Sequence, residues 1–552
     1  MRSYVSRGMH VKLRENRLIE GELTWFVTGT RSRLMPEMLA SYVTGEWYTA
    51  PDGGATVVDA ATGDPVARVS TTGLDTRKLV EHARRVGGPA LRGLTFQERA
   101  AALKDLATYL DARKAAYHEL SLATGATRRD ATGDIDGGIG TTFVFSSRGR
   151  RELPDGYLLT DGDLEPVGKA GTFVGQHVYT SLRGVVLQVN AFNFPVWGML
   201  EKLAAAVLAG VPTIVKPATQ TAYLTAAVMR DVIASGALPE GAVQFVCGGA
   251  GDLLDHLGGE DVIAFTGSAG TAAVLRGNAA VTRQAARFNA ETDSLNCSIL
   301  GPDAVTGTPE FDLYVKEIAR EITTKAGQRC TCIRHALVPE SMVDDVIAGL
   351  RARLDKVVVG NPRNDTVTMG ALVSLQQRAE VREAVGALAR TSEVVYGNPM
   401  SVDPVDADAE RGAFMAPVVL LCTDSERSEP HEIEAFGPVT TLIPYAQTDD
   451  VGALAARGNG SLVGSVVSYD PDFVRAVVMT AAPHHGRLLV LDRDCAGEST
   501  GHGTPMPQLV HGGPGRAGGG EELGGLRAVK HFMQRTALQG SPAVIAALID
   551  RS

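Results

Sequence analysis

The sequence predicts an α/β protein of two domains, each built around a sheet with helices on both faces. Three observations predict it. From Gly184 to Ala290, short apolar runs alternate with amphipathic stretches, the pattern of parallel strands joined by helical crossovers. A second alternation of the same kind runs from Phe311 to about Leu489, which puts a seam near Leu300. The length, 552 residues with 44% hydrophobic and 21% charged, allows two or three domains with substantial cores.

In chain order, a strand pattern at Tyr42–Trp47 is followed by strand-like runs at 57–58 and 67–69. Helical periodicity covers 75–86 and 95–123. A Gly-Asp segment, 133–140, precedes a helical stretch near Thr142. Strands are expected at 185–189, 212–215, 243–246 and 262–265, with helices at 198–208, 221–235 and from Ala269. The second half gives strands at 357–359, 462–467 and 488–491 and a helix at 376–389.

Composition excludes several classes. A net charge of -10 with no basic run argues against a nucleic-acid surface. No run is long and apolar enough to cross a bilayer, so no membrane partner is expected. Six cysteines are too few for a disulfide framework and fit a reducing compartment, with the cytoplasm as the expected location. Cys330-Thr-Cys332 lacks a companion His or Cys cluster at zinc spacing, so no metal centre is expected. Basic residues near the N-terminus are interrupted by Glu15, Glu20 and Glu22, against a targeting peptide. Residues before about Met38 read as a poorly ordered extension.

Three motifs fall at the carboxyl ends of predicted strands, where open α/β sheets bind ligands. They are Asn190-Ala191-Phe-Asn193-Phe-Pro195, Lys216-Pro-Ala-Thr219 and Thr266-Gly267-Ser268. Together they suggest a cofactor crevice. Thr266-Gly267-Ser268 opens a helix, whose N–H groups and dipole could hold a phosphate; it also reads as a plain helix cap. Lys216 could reach a ribose or phosphate oxygen, or be an ordinary solvated lysine. Asn193 could donate its amide to an oxyanion, or be a turn asparagine. Glu291, at the edge of an apolar stretch, could be a general base with its pKa raised by partial burial, or a surface turn residue. Cys330 sits on a polar, Gly-bearing turn between a helix-like and a strand-like run. It reads as a nucleophile needing a base, or as a buried structural cysteine.

The set Asn193-Phe-Pro195, Lys216-Pro, Phe265-Thr-Gly-Ser268, Glu291, Gly327-Gln-x-Cys330 and Glu434-x-Phe436-Gly-Pro438 resembles the aldehyde dehydrogenase superfamily, in that superfamily's order. The resemblance covers roughly Met38 to the C-terminus. It implies a Rossmann-like cofactor domain at 39–298 with an oligomerisation hairpin at 150–181. A catalytic domain at 299–515 and a C-terminal oligomerisation segment at 516–552 would follow, after an extension at 1–38. It implies that Cys330 attacks an aldehyde to give a thiohemiacetal and then a thioester. Asn193 and the Cys330 N–H would form the oxyanion hole, with Glu291 as the base that activates water. Asn190, Ala191, Lys216, Thr219, Thr266, Gly267, Ser268, Glu434 and Phe436 would contact the nicotinamide cofactor.

One departure from the family bears on the cofactor. Many NAD-preferring members carry a ribose-binding glutamate where this chain has Thr219, so NADP is expected in preference to NAD. The wording Asn190-Ala-Phe-Asn-Phe-Pro195, Glu291-x-Asp-Ser-Leu-Asn296 and His511-Gly-Gly-Pro-Gly-Arg-Ala-Gly-Gly-Gly-Glu-Glu-Leu-Gly-Gly525 narrows the resemblance. It is similar to the dehydrogenase part of bifunctional ring-opening enzymes of phenylacetic acid catabolism, which oxidise 3-oxo-5,6-dehydrosuberyl-CoA semialdehyde. Related enzymes of benzoyl-CoA catabolism act on 3,4-dehydroadipyl-CoA semialdehyde. The hydratase domain of the bifunctional enzymes has no counterpart here, so a separate enoyl-CoA hydratase is the implied partner. The rival readings are a cysteine thioesterase or acyltransferase, an acylating dehydrogenase, and a non-catalytic binding protein on the same fold. A homodimer or an assembly of dimers is expected, through residues near 152–180 and 529–537.

Overall fold

A computed structural model describes residues 36–446, 450–520 and 524–550. All but the last few residues of the extension expected at 1–38 lie outside that set; Glu37 and Met38 pair with Arg68, whose N–H donates to the Glu37 carbonyl at 2.8 Å.

Among the described residues nineteen strands form four sheets. The first large sheet contains β1 (Ser41–Val43), β2 (Glu46–Tyr48), β7 (Val186–Val189), β8 (Thr213–Lys216), β9 (Val243–Phe245), β10 (Val262–Thr266) and β11 (Arg287–Glu291). Its order is β11-β10-β7-β8-β9-β1-β2, with the four pairings from β11 to β9 parallel and β1 and β2 antiparallel at one edge. The second contains β12 (Cys297–Leu300), β13 (His335–Pro339), β14 (Glu393–Tyr396), β15 (Val418–Leu421), β16 (Val439–Tyr445), β17 (Ser461–Val467) and β18 (His485–Leu491). Its order is β14-β15-β16-β13-β12-β17-β18. The third sheet is antiparallel, β19 (Met533–Gly540), β6 (Val174–Ser181) and β5 (Leu158–Pro166), and the fourth is the hairpin β3 (Ala55–Val58) with β4 (Pro65–Val69). The parallel strands are apolar on both faces, as strands covered by helices must be: Val186 and Leu187, Ile214 and Val215, and Val262 to Ala264 are all buried.

Two local expectations are corrected. The run Tyr42–Trp47 is not one strand: Thr44 and Gly45 both take positive φ (51° and 88°) and turn β1 back on β2. The Gly-Asp segment does not precede a helix; it lies inside one, Arg128–Glu152, capped by Thr127 and Asp130. Glycine disfavours helix interiors by ~1 kcal/mol each, and packing overrides that here. A Cβ on Gly137 would sit 2.6 Å from the Trp197 ring, and one on Gly138 would sit 2.8 Å from Trp197 Cα. The absent side chains let the buried helix Trp197–Ala209 approach closely. Among the described residues no helix is long and apolar enough to cross a membrane.

Candidate active site

Neighbouring strand ends bring three predicted motifs together. Glu291 closes β11 and stands in register with Thr266, which closes β10; the adjacent β7 ends at Val189 and leads into Asn190–Asn193. The carboxyl ends of these strands open on a cavity of about 250 Å³, lined by Asn190, Ala191, Asn193, Thr266, Glu291 and Cys330 among others. Cys330 comes from the other large sheet, on the loop that precedes β13.

That loop is held at many points. The Asn296 amide donates to the carbonyls of Cys330 (2.7 Å) and Cys332 (3.0 Å), while Arg329 makes a bidentate, buried ion pair with Glu321 at 3.0 Å. Gln328 bridges the Lys325 carbonyl and the Val373 N–H at 2.9 Å each. Upstream, Lys325 (φ 51°), Ala326 (φ 50°) and Gly327 (φ 68°) are consecutively left-handed. For the two non-glycine residues this conformation costs ~1–3 kcal/mol each. Gly327 is obligatory, because a Cβ there would lie 2.0 Å from the Gly437 carbonyl oxygen. Asn296 and Gln328 thus fix the position of Cys330, which remains partly exposed.

The electrostatics of the centre involve a residue to which the motifs assign no role. His511 Nε2 lies 3.3 Å from Glu291 Oε2, with both side chains almost wholly buried. One ligand atom each of Glu291, Cys330 and His511 falls within a 4.8 Å cluster. Burial pushes the Glu291 carboxyl up, but His511 and the nearby Lys202 outweigh it and hold the pKa well below the usual carboxylate range. Burial pulls His511 down, and Glu291 then Glu201 more than reverse that, so its pKa is raised. The expectation that burial raises the Glu291 pKa is therefore corrected: the opposing cation arrives from 220 residues downstream. Burial first, then the Glu291 charge, pushes the Cys330 thiol well above its ordinary value. The centre is a thiol beside a carboxylate–imidazole pair whose mutual charge favours the ionised forms of both Glu291 and His511. Glu291 Oε1 is buried without a hydrogen-bond partner, an acceptor left free beside the thiol.

Asn193 is also arranged for donation. Its Oδ1 accepts the Phe194 N–H at 3.1 Å, which leaves the NH2 end for a ligand oxygen. Among the described residues the Cys330 N–H makes no hydrogen bond. Lys202, buried in the helix Trp197–Ala209, donates to the Thr266 hydroxyl at 2.8 Å.

The remaining predicted residues lie outside this cavity lining. Lys216 closes β8 and Thr219 follows it, beside the crevice at β7, and burial lowers the Lys216 pKa. Ser268 caps the helix Ala269–Arg276 by accepting the Thr271 N–H at 3.2 Å. The Ala269 N–H is taken by Asp293 Oδ1 at 2.8 Å, so two amides of this first turn are already engaged. Gly267 extends the strand pairing, its N–H donating to the Glu291 carbonyl at 3.1 Å. Glu434 is buried 3.8 Å from Arg334; burial pushes its pKa up to about 7, and its Oε1 has no hydrogen-bond partner. Phe436 meets Phe192 edge-on at 5.9 Å.

Residues missed by the sequence reading are His511, Lys202, Lys325 and Asn296. Asn296 and His511 lie in quoted motifs, yet no role could be attached to them locally. Lys202 was hidden in an apolar helix, where a lone polar residue among Leu and Ala was the available signal. The glycine-rich segment from His511 packs on β11: the Thr292 N–H donates to the Ala517 carbonyl at 3.1 Å, and a Cβ on Gly518 would lie 1.9 Å from the Ala290 carbonyl oxygen.

Residues 47–537 match the model of the aldehyde dehydrogenase family. A 3,4-dehydroadipyl-CoA semialdehyde dehydrogenase from Aromatoleum evansii is 46% identical over 478 residues, 86% of this chain and 93% of that one. Protein MaoC of Klebsiella aerogenes is 49% identical over 182 residues, 33% of this chain and 52% of its own length. Among solved structures, a lactaldehyde dehydrogenase superposes with a TM-score of 0.80 at 21% identity, covering 92% of this chain and 100% of that one. Betaine aldehyde dehydrogenase from Staphylococcus aureus, in complex with NAD+, does so with 0.79 at 20%, covering 95% and 97%.

Proposed function

Because the chain belongs to the aldehyde dehydrogenase family, we propose that it oxidises a CoA-linked semialdehyde of aromatic catabolism to its acid, with NADP preferred over NAD. The observation that carries the chemistry is the Glu291–Cys330–His511 cluster at the cavity, its atoms within 4.8 Å of one another.

Cys330 Sγ attacks the aldehyde carbon, and its proton passes to the free Glu291 Oε1. The oxygen of the tetrahedral adduct accepts from the Asn193 amide and the Cys330 N–H. Bound NAD(P) supplies a hydride acceptor. Glu291 passes the thiol proton to solvent, then deprotonates the water that attacks the Cys330 thioester and returns that new proton to the departing thiolate, releasing acid and thiol. His511 holds Glu291 as an anion between turnovers. The orphaned, buried Oε1 of Glu434 is suited to ribose hydroxyls, with Phe436 beside it. Lys216, Asn190, Ala191 and the turn Thr266-Gly267-Ser268 would hold the rest of the dinucleotide. Thr219 carries no charge to repel a 2′-phosphate, and Lys216 would attract it.

The Aromatoleum relative favours 3,4-dehydroadipyl-CoA semialdehyde as substrate. The motif wording favours 3-oxo-5,6-dehydrosuberyl-CoA semialdehyde, with a separate hydratase supplying it. We place the cofactor domain at 39–298 and the catalytic domain at 299–515. The hairpin 150–181 and segment 516–552 would build a homodimer or an assembly of dimers; the sheet β19-β6-β5 leaves β5 and β19 as edges for a second copy. Unpaired cysteines support the cytoplasm as the location. The test is steady-state reduction of NADP and NAD with both CoA-semialdehydes and a medium-chain aldehyde, with Cys330→Ala as control. Turnover that survives the substitution, or no gain from CoA linkage, contradicts the proposal.

A further inference from the structure

Lys325 is a buried lysine in the catalytic cavity, its pKa lowered by burial against the charges of Asp134 and Asp130, and the chemistry above leaves it unused. Only 7% of it is exposed, and it lines the same cavity as Cys330. The left-handed turn at 325–327 sets its direction: the Lys325 N–H donates to Asp130 Oδ1 at 3.0 Å, and Arg334 holds the Gly327 carbonyl at 2.8 Å. Its Nζ lies 4.5 Å from the centre of the Phe194 ring. Among the described residues that ammonium makes no hydrogen bond and no ion pair, although a buried charge is costly without a partner.

Nearby carboxylates do not meet that need. Asp130 and Asp134 lie one turn apart on the helix Arg128–Glu152 and temper the loss of solvent at Lys325. Asp130 is occupied by the N–H and hydroxyl of Thr127 and by the Lys325 N–H. Asp134 Oδ1 accepts the N–H groups of Val196 (3.2 Å) and Trp197 (2.8 Å), and its buried Oδ2 has no hydrogen-bond partner and makes no ion pair with Lys325. Their field keeps a cation tolerable in the wall while its three donors stay free for a ligand.

We propose that Lys325 is a specificity-determining residue that donates to a second carbonyl oxygen of the substrate, set along the acyl chain from the reacting aldehyde. The class recognised is an ω-oxoacyl ester or thioester, in contrast to a plain alkanal. Phe194 would confine the intervening chain. The inference rests on the CoA-semialdehyde reading and adds a contact that does not involve the nucleotide part of CoA.

Methyl 6-oxohexanoate and methyl 8-oxooctanoate carry the second carbonyl without CoA, and hexanal and octanal lack it. The wild-type enzyme should prefer at least one oxo-ester to the alkanal of equal length. Lys325→Met should cut that preference about ten-fold or more, chiefly through KM, because the donor to the second carbonyl is lost. Lys325→Gln, which keeps a donor, should retain part of it. Thermal melts establish that both variants fold. Equal losses on ester and alkanal would overturn the inference, leaving Lys325 as a counter-charge for Asp130 and Asp134. A wild type that turns over CoA-semialdehydes yet shows no ester preference would also overturn it, with the substrate reading intact. If CoA-semialdehydes are rejected while the Lys325-dependent ester preference holds, the substrate reading falls and the subsite stands.

Discussion

Glu291 Oε2 and His511 Nε2 stand 3.3 Å apart, with side-chain exposures of 6% and 10%. Their separation in sequence is 220 residues, and their mutual charge decides how the carboxylate titrates. Without His511 the largest opposing charge is gone, and burial, which raises the Glu291 pKa, meets only the smaller effects of Lys202 and Cys330.

His511→Phe removes the cation, so the Glu291 pKa should rise and its anionic form should be confined to higher pH. Activity should therefore fall on the acid side and recover at alkaline pH. In wild type Glu291 stays ionised across neutrality. The kcat–pH profiles of the two proteins check this, and superimposable acid limbs would refute it.

Glu291→Gln should reduce steady-state kcat by about 10²–10⁴-fold, the usual contribution of a positioned base. The first turnover should survive as a burst of reduced cofactor, because thioester hydrolysis is the step most dependent on Glu291. Stopped-flow absorbance resolves burst from steady state. Loss of the burst would move the role of Glu291 to the attack of Cys330.

The Cys330 thiol is held protonated by burial and then by the Glu291 charge. Alkylation of Cys330 by iodoacetamide in the free enzyme should therefore be slow at neutral pH and quicken as pH rises. In Glu291→Gln the acceleration should begin at lower pH, since the repelling charge is gone. A pH series of labelling rates by mass spectrometry distinguishes the two proteins.

On the proposed binding mode, Thr219→Glu would put a carboxylate beside the 2′-phosphate of NADP. The ratio of kcat/KM for NADP over NAD should fall about ten-fold or more, the equivalent of ~1.4 kcal/mol. An unchanged ratio would show that Thr219 does not face the ribose.

Gly138→Val would force a side chain into Trp197, whose Cα lies 2.8 Å from the Cβ position. Overpacking of this kind costs ~1–3 kcal/mol, so the melting temperature should drop measurably. Gly133→Ala, with nothing within 4 Å of its Cβ, serves as the neutral comparison.

What could be read from the sequence was local. Asn193, Thr266, Glu291 and Cys330 each sit in a short motif at a strand end or on a turn, and the structure brings all four to one cavity. The alternation of apolar and amphipathic runs marked β7, β8, β9 and β10 because parallel strands are apolar on both faces. The helix through Gly133–Gly140 could not be read that way, since Gly137 and Gly138 answer to Trp197 some sixty residues away. The sign of the Glu291 shift depended on His511, and the freedom of the Lys325 ammonium on which groups already occupy Asp130 and Asp134. Each of these is a statement about tertiary neighbours, and periodicity does not record them.

The glycine-rich segment on β11 gives the centre an order of assembly. A ribosome makes Glu291 and Cys330 well before His511, so a nascent chain could fold both large sheets' central strands while its base still lacks a cation. During that interval burial of the carboxyl goes without its largest opposing charge. Seating of residues 511–518 against Ala290 and Thr292 brings His511 to Glu291 and lowers the carboxyl pKa. The electrostatics of the centre are thus completed by one of the later segments of the chain to be made.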